Sequence, residues 1–406
     1  MQRKKYLATL VTALIIVMAT LTWASSAAAS SYKILHRFSV YSSPQGNLIF
    51  DAAGNLYGTT SAGGPKGCGN VYKLAPSSNG TWTYSVLHSF RGPDGCNPQA
   101  GLTFDAAGNL YGTTTGGGGL LTTPASCSSW RLNPDGTWTG GVLHRFTDRD
   151  GRYPSAPLIF DAAGNLYGTT QLGGTGGGGE RGVVFKLAPN PDGTWTESVL
   201  HEFAGFVDGC DPLAGLVFDG AGNLYGTAAG CYGGMDGVIF KLAPNPDGTW
   251  TESVLYSFGG GPDGATPTAG LTFDAAGNLY GTTDQGGAYG SGVVFKLAPN
   301  PDGTWTEIVL YTFTGGADGA NPYAGLIFDA AGNLYGTTSG GGAAGYGVVF
   351  KLRPHLDGTW TERVLHSFIG FGKYPYAPVI FDPAGNLYGT TTQGTNNYGL
   401  VFEITP

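Results

Sequence analysis

Histidines and acidic residues are the side chains of this sequence that acid-base chemistry or metal binding would require. Five of the six histidines occupy one position of a unit that recurs along the chain, and tyrosine occupies it in two other copies. A position that accepts either residue indicates packing, so metal binding or general-base catalysis there is not expected. We predict no metal site, no catalytic residue and no cofactor. The histidines are His36, His88, His144, His201 and His366, and the tyrosines are Tyr256 and Tyr311.

The acidic side chains form no recognisable catalytic group. Asp94, Asp208, Asp263 and Asp318 each directly precede glycine in a loop, which is typical of turns rather than of a calcium site. The other acids in variable loops are scattered, namely Asp148, Asp150, Asp211, Asp236, Asp284 and Glu180. No G-x-S-x-G, H-E-x-x-H or phosphate-loop string occurs. This favours a non-catalytic protein and leaves a hydrolase, lactonase or lyase as the alternative.

The recurring unit determines where these residues lie. The string D-x-x-G-N-L-Y-G-T occurs seven times, with its Asp at 51, 105, 161, 219, 274, 329 and 382. Each unit holds four segments with strand composition, separated by turn residues, at 158–161, 165–170, 183–187 and 194–203 in the third unit. We name these strands a, b, c and d. Seven units of four antiparallel strands predict an all-β, seven-bladed β-propeller.

The two chain ends predict how the ring closes. The segment from Tyr32 to Phe38 matches strand d of the other units and has no a, b or c strand before it. The segment from Leu400 to Ile404 matches strand c and has no d strand after it. We expect the N-terminal strand to complete the last blade, because an open array would leave unpaired edges at both ends.

The strings DAAGNLYGTT, GVVFKL and the GL before each unit resemble the GloVer repeat of bacterial extracellular "choice-of-anchor" tandem-repeat proteins. The resemblance covers Tyr32 to Pro406 and implies an exported repeat protein without assigned chemistry. Members often carry a C-terminal sorting anchor, whereas this chain ends two residues after its last predicted strand. We therefore expect a free or periplasmic protein. The string D-x-x-G-N-L-Y is also similar, more weakly, to NHL-type and gluconolactonase-like propellers.

A ligand site is predicted on the propeller face that carries the long d-to-a and b-to-c loops, since variable loops on a rigid scaffold often bind ligands. Proline precedes strand a in every unit, and the residue after it varies. Because strand a is innermost, we expect these residues and two tyrosines to form a rim suited to a glycan or an extracellular protein. Ordinary solvated loop residues are the alternative. The rim candidates are Gln45, Gln99, Tyr153, Ser155, Thr268, Tyr323, Tyr374 and Tyr376.

Five cysteines on the same face predict two disulfides and one free thiol in an exported protein. Cys210 and Cys231 belong to one unit, and Cys96 and Cys127 take the corresponding places in another. We therefore predict the pairs Cys210–Cys231 and Cys96–Cys127, with Cys68 free. Pairing of Cys68 with Cys96 stays open, because sequence does not fix connectivity.

The N-terminus has the layout of a secretory leader. Three basic residues precede an apolar run and the small residues Ala27 to Ala29, which predicts a signal peptide at 1–29 and one propeller domain at 30–406. A retained membrane anchor is the alternative. Cleavage would change the formal net charge from −8 to −11, so nucleic acid is not an expected partner. We expect a secreted or periplasmic monomer with no membrane contact after cleavage.

Overall fold

The computed structural model describes residues 30–406 apart from 40, 117–124, 134–136, 176–180, 206, 232–235 and 395–397, and apart from the side chains of 129–132. The predicted signal peptide, 1–29, lies outside the described residues and stays a prediction. Within the described part, no helix has the length and apolarity that a membrane span requires. The described residues form seven sheets of four antiparallel strands, which confirms the seven-bladed β-propeller.

Strands a and b form the inner half of each blade. The a strands are two residues long and the b strands five, and the b strands are buried almost throughout. The a strands are β2 (Ile49–Phe50), β6 (Thr103–Phe104), β10 (Ile159–Phe160), β14 (Val217–Phe218), β18 (Thr272–Phe273), β22 (Ile327–Phe328) and β26 (Ile380–Phe381). The b strands are β3 (Leu56–Thr60), β7 (Leu110–Thr114), β11 (Leu166–Thr170), β15 (Leu224–Ala228), β19 (Leu279–Thr283), β23 (Leu334–Thr338) and β27 (Leu387–Thr391).

Strands c and d form the outer half, and their bounds agree with the predicted segments to within two residues. The c strands are β4 (Asn70–Pro76), β8 (Ser126–Leu132), β12 (Val183–Pro189), β16 (Val238–Pro244), β20 (Val293–Pro299), β24 (Val348–Pro354) and β28 (Leu400–Thr405). The d strands are β5 (Trp82–Ser89), β9 (Trp138–Arg145), β13 (Trp195–Glu202), β17 (Trp250–Ser257), β21 (Trp305–Thr312), β25 (Trp360–Ser367) and β1 (Ser31–Arg37).

The ring closes where the sequence predicts. The last blade has the strand order β1-β28-β27-β26, so the first described strand is its outer strand. β1 pairs antiparallel with β28, from Ser31 opposite Thr405 to Arg37 opposite Leu400. The seventh sheet is thereby as complete as the other six, and no blade lacks a strand.

The repeated D-x-x-G-N-L-Y string forms the turn between strands a and b. In the first blade, Oδ1 of Asp51 accepts the backbone N–H groups of Ala53 and Asn55, both at 2.9 Å. Its Oδ2 accepts the Asn55 amide at 2.7 Å and the Tyr57 hydroxyl at 2.9 Å. These four hydrogen bonds hold the pKa of the Asp51 carboxyl below its usual range, although burial opposes them. The aspartate is therefore a structural turn residue, and the other six blades repeat the arrangement.

The same tyrosine packs neighbouring blades together. The ring of Tyr57 meets Phe104 of the next blade edge-on at 5.2 Å and Trp138 at 6.1 Å. Within six of the seven blades, the glycine of the string leaves room for an aromatic ring from strand c; in the second blade, Gly112 lies opposite Ser128. A Cβ on Gly168 would lie 2.7 Å from the Phe185 ring, so this position needs glycine. The core thus lies between blades as well as within them.

In five of the seven blades, the histidine or tyrosine position of the d strands is a hydrogen-bonding position. Nε2 of His88 lies 2.8 Å from Oδ2 of Asp94, and in a later blade the Tyr256 hydroxyl donates to Oδ2 of Asp263 at 3.1 Å. Each aspartate also accepts a backbone N–H of its own turn, which confirms the turn role of these aspartates. Histidine and tyrosine are interchangeable in these blades because both present a donor to the carboxylate. The packing interpretation is therefore incomplete for these five, whereas His36 and His366 pack by stacking on tyrosine rings.

One of the two predicted disulfides is wrong. Cys210 and Cys231 are bonded as predicted, with Cα atoms 5.1 Å apart. Cys96, however, is bonded to Cys68, with a Cα separation of 4.4 Å, and Cys127 is the free cysteine. Cys127 does not lie in a loop: it is fully buried in β8, directly opposite His144 of β9. The open alternative is thus the pairing found, and it links a b-to-c loop to the d-to-a loop of the next blade.

This pairing predicts the behaviour of the thiols. Burial raises the pKa of the Cys127 thiol, and only the deprotonated thiolate reacts with disulfide reagents. We expect no thiol to be titrated in the native protein and one per chain after unfolding without reductant. Cys127→Val, which introduces the residue found there in five other blades, should abolish that signal. A thiol that reacts in the native state would contradict the assignment.

Candidate functional site

A cavity of about 700 Å³ lies at the centre of the ring, a volume within the range of small-molecule sites. The seven residues that directly follow the prolines before strand a all line this cavity. This was expected, because strand a is the innermost strand of each blade. Six of the eight predicted rim residues are among them, and Leu213 completes the circle. The six are Gln45, Gln99, Ser155, Thr268, Tyr323 and Tyr376.

The other two rim candidates, Tyr153 and Tyr374, do not line the cavity. Both directly precede the proline of their loop and have positive φ angles of 59° and 58°. The Tyr374 ring packs edge-on against Tyr346 of the preceding blade at 5.9 Å, and the Tyr153 ring contacts the Arg152 guanidinium at 5.3 Å. Their assignment to the rim is therefore wrong. An aromatic residue beside a proline does not reveal the left-handed backbone that turns it away.

This left-handed residue recurs in all seven blades, immediately before the proline. Such a conformation is uncommon outside glycine and persists where the surroundings hold it. Here hydrogen bonds hold it from two blades: the Asn97 N–H donates to the Cys68 carbonyl of the preceding blade at 2.9 Å. The Asn97 carbonyl accepts the N–H and the hydroxyl of Thr115 at 3.2 and 3.1 Å. The rim residue two positions later is thus fixed by the backbone of two blades.

Aromatic and acidic groups gather on one side of the mouth. The Tyr323 and Tyr376 rings meet edge-on at 5.3 Å, and Asp284 lies at the end of β19 beside them. Burial raises the pKa of both phenols, and the negative charge of Asp284 raises it further. Burial also raises the pKa of the Asp284 carboxyl, against the hydrogen bonds of Gln285 and Asn321. This side presents two stacking surfaces and one poorly solvated carboxyl group.

Amides and hydroxyls line the rest of the ring. Gln45, Gln99 and Gln171 line the cavity, and the Oγ of Ser155 has no hydrogen-bond partner among the described residues. Deeper in the cavity, Asn47 lies so close to Gly101 that a Cβ on that glycine would overlap its side chain. Gln45 belongs to the blade that packs against the blade of Tyr376, so neutral hydrogen-bonding groups continue the ring from the aromatic pair.

Sequence analysis missed Gln171 and Asn47, although a comparison of the seven copies contains the signal. The residue after the string L-Y-G-T-T is serine or threonine in four copies, where its hydroxyl bonds the left-handed residue. The third, fourth and fifth copies break this rule with Gln171, Ala229 and Asp284. At the depth of Asn47, the other copies have only glycine or proline. Of these departures from the repeat, Gln171 and Asn47 line the cavity.

The remaining loop acids do not converge on the cavity. Asp148 pairs with Arg152 at 3.6 Å, and Asp150 bonds to His144 at 3.1 Å. Asp211 is one of the left-handed residues, and Glu180 lies outside the described residues. Among the acids of the variable loops, Asp284 is the one whose negative charge raises the pKa of the tyrosines that line the cavity.

Solved structures share this fold at low identity. The extracellular domain of BT4673 from B. thetaiotaomicron matches 93% of this chain at 12% identity, with a TM-score of 0.55, and this chain spans 42% of that chain. The periplasmic gluconolactonase PpgL of Pseudomonas aeruginosa matches 84% of this chain and 89% of its own at 18% identity, with a TM-score of 0.55. This likeness concerns the fold alone. No curated protein matches the sequence.

The repeat itself is more specific than the fold. The profile of the Gloeobacter/Verrucomicrobia repeat matches residues 44–272 and 234–406, which together contain all seven copies. This agrees with the GloVer resemblance of the D-x-x-G-N-L-Y-G-T and GVVFKL strings, and the turn and packing roles of those strings explain why they recur. The chain belongs to the Gloeobacter/Verrucomicrobia repeat family.

Proposed function

We propose that this propeller is an exported binding protein that recognises a neutral, carbohydrate-like ligand at the mouth of its central cavity. The observation that carries the proposal is that the pair of Tyr323 and Tyr376 lines the same cavity as the amides of Gln45, Gln99 and Gln171. Sugar rings have apolar faces that stack on aromatic side chains and hydroxyls that bond to amides. Rigid anchoring of the rim by two blades keeps these groups in place before the ligand binds.

Three features support export. Two disulfides are typical of proteins that fold outside the cytoplasm. The sequence of 1–29 has the layout of a signal peptide. The two solved structures of similar fold are named as an extracellular domain and a periplasmic enzyme. A scaffold role that binds an extracellular protein through the same face is the alternative partner.

The rim gives a direct test of the binding proposal. Tyr323→Ala combined with Tyr376→Ala should weaken retention on a panel of glycans and cell-wall fragments at least tenfold. The reason is that each sugar ring stacked on an aromatic face contributes roughly 1 kcal/mol to binding. The melting temperature should change little, since Tyr376 is 38% exposed. Tyr374→Ala is the matched control, because Tyr374 lies in the same loop but outside the cavity. Unchanged retention in the double variant would remove the proposal.

Asp284 supports a second candidate function, that of a lactonase or other hydrolase. A carboxyl group whose pKa is raised by burial, beside two phenols at a cavity mouth, has the features of a general acid or base. Turnover of sugar lactones or glycosides that disappears in Asp284→Asn would establish this function in place of simple binding. Under the binding proposal, the wild-type protein and Asp284→Asn both lack turnover and retain the ligand.

A further inference from the structure

Five neighbouring blade pairs share an arrangement of side chains at their outer edge. The His or Tyr of one d strand bonds to the Asp of the following loop, and the d strand of the next blade places Glu, or once Gly, two residues after its Trp. The five groups are His88–Asp94–Gly140, His144–Asp150–Glu197, His201–Asp208–Glu252, Tyr256–Asp263–Glu307 and Tyr311–Asp318–Glu362.

The group between the second and third blades brings three metal-binding atoms together. A ring nitrogen of His144, a carboxylate oxygen of Asp150 and a carboxylate oxygen of Glu197 all lie within 4.8 Å of one another. Nε2 of His144 is 3.1 Å from Oδ2 of Asp150. The Oε1 of Glu197 is buried and has no hydrogen-bond partner among the described residues, as is also true of the equivalent glutamates Glu252, Glu307 and Glu362; the three close ligand atoms distinguish the His144 group. An unpaired buried carboxylate oxygen next to a second carboxylate is costly unless a cation or a proton lies between them.

Each of the other four groups differs from this arrangement in one respect. Between the first and second blades, Gly140 stands in place of the glutamate, and a cavity of about 340 Å³ opens there. In the two tyrosine groups, a phenol hydroxyl already donates to the aspartate and is a poor metal ligand at neutral pH. In the His201 group, both oxygens of Asp208 accept the Ala204 N–H. Only the His144 group has its three ligand atoms within this distance in the described part of the chain.

We propose that His144, Asp150 and Glu197 form a binding site for a divalent transition metal, with zinc as the expected ion. One imidazole and two carboxylates suit zinc, manganese or cobalt, whereas calcium and magnesium prefer oxygen ligands alone. Donors around a tetrahedral zinc ion lie about 3.4 Å apart, so the His144–Asp150 pair is already close enough. Glu197 lies within 4.8 Å of both other ligand atoms, so it needs to approach by at most about 1.4 Å, which rotation of its side chain allows.

The proton balance of binding is simple. In the free protein, the Nε2–H of a neutral His144 donates to Asp150; the bound imidazole carries its proton on Nδ1 and offers Nε2 to the metal. Glu197 binds as the carboxylate and releases its proton to solvent if it carries one. The sequence-based expectation of no metal site treated the histidines as one class. They differ in the residue that the next blade places beside them.

Zinc binding to the purified protein tests the proposal. All proteins carry Cys127→Val, so that the free thiol cannot bind zinc. After chelator treatment, we expect one zinc ion per chain in competition with a chromophoric chelator, and the visible absorption of bound cobalt in the zinc-free protein. His144→Tyr and Glu197→Gln should each lower the zinc affinity at least tenfold.

The chain itself supplies the controls. Tyrosine occupies the His144 position in two other blades, so His144→Tyr is compatible with the fold, and its melting temperature in the absence of metal should match that of the parent. Glu307→Gln removes the equivalent glutamate of a tyrosine group and should leave zinc affinity unchanged. Absence of stoichiometric zinc binding, or an unchanged affinity in folded His144→Tyr, would overturn the proposal. In the first case, a shared proton between Asp150 and Glu197 would account for the unpaired oxygen.

Discussion

Deletion of residues 30–38 should lower the melting temperature by about 10 °C or more, or make the protein aggregate. The deleted segment contains β1, which pairs along the whole length of β28. Its side chains Tyr32, Ile34 and Phe38 pack into the core of the last and first blades. Loss of three such contacts costs roughly 5 kcal/mol or more, and the exposed edge of β28 becomes a template for association. Thermal unfolding and size-exclusion chromatography measure both effects.

A circular permutant separates closure of the ring from mere loss of residues. In the permutant, the chain starts at residue 41, and residues 30–40 follow Pro406 through the Asn-Pro-Asp-Gly turn of the other blades. Because Ser31 lies opposite Thr405, a short turn spans the junction. We expect a melting temperature within a few degrees of that of the natural chain. If the deletion variant unfolds like the natural chain, β1 does not hold the ring closed.

Stability should also fall as the pH rises from 5 to 8, because of carboxyl pairs between blades. Burial and the neighbouring Asp263 raise the pKa of Glu307 to about 7, and burial and Asp318 do the same for Glu362. A carboxyl whose folded-state pKa exceeds its unfolded value stabilises the fold when protonated. That stabilisation is complete below about pH 4.5 and is lost as the pH rises towards 7.

The double variant Glu307→Gln, Glu362→Gln should therefore unfold about 2–4 °C higher than the wild type at pH 8 and show a smaller difference at pH 5. The expected shift in melting temperature is small because both glutamate side chains are only half-buried. Water therefore screens the repulsion between each glutamate and its neighbouring aspartate. Asp302→Asn is the control, since hydrogen bonds from Thr304 lower the pKa of Asp302 and its titration ends below this pH range. An equal shift at both pH values would mean that the two glutamates are ionised throughout.

Buried histidines change the stability in the opposite direction as the pH rises. The effect of the glutamates is therefore measured by comparing the double variant with the wild type. Burial lowers the pKa of His366, which stacks on Tyr32 at 3.8 Å, to about 4. A histidine with a lowered folded-state pKa destabilises the fold as the pH falls from 6.5 towards 4. The glutamate effect is thus seen most clearly as the difference between the double variant and the wild type at each pH.

The fold was predictable because each copy of the repeat contains the same turn and strand residues at the same spacing. Asp51 and its equivalents need the glycine and asparagine that follow them to form the turn, and the unmatched first and last strands leave one way to close the ring. The site was predictable in part: the residue after each proline lines the cavity, because strand a is innermost. Such inferences depend on spacing and topology, which the sequence contains directly.

The errors share a physical cause, since they concern directions and distances that spacing does not determine. Tyr374 lies one residue before its proline, and its left-handed backbone removes it from the cavity. Cys127 was assigned to a loop from its place in the repeat, yet it is a buried strand residue opposite His144. Both residues are within a few positions of correctly predicted ones. The conformation of one residue, or a shift of a strand boundary by a few residues, decides whether a side chain reaches the cavity or lies in a loop.

The pairing of Ser31 with Thr405 has a consequence for the order of folding. Each of the other six blades contains strands that are consecutive in the chain, so it can assemble as soon as its own residues have left the ribosome or the secretion channel. The last blade must wait, because its outer strand is made first and its other three strands last. Contacts of such long sequence separation form slowly. Until β26, β27 and β28 have been made, the nascent chain therefore carries β1 without its partner strand, and a chaperone that shields β1 would raise the yield of folded protein.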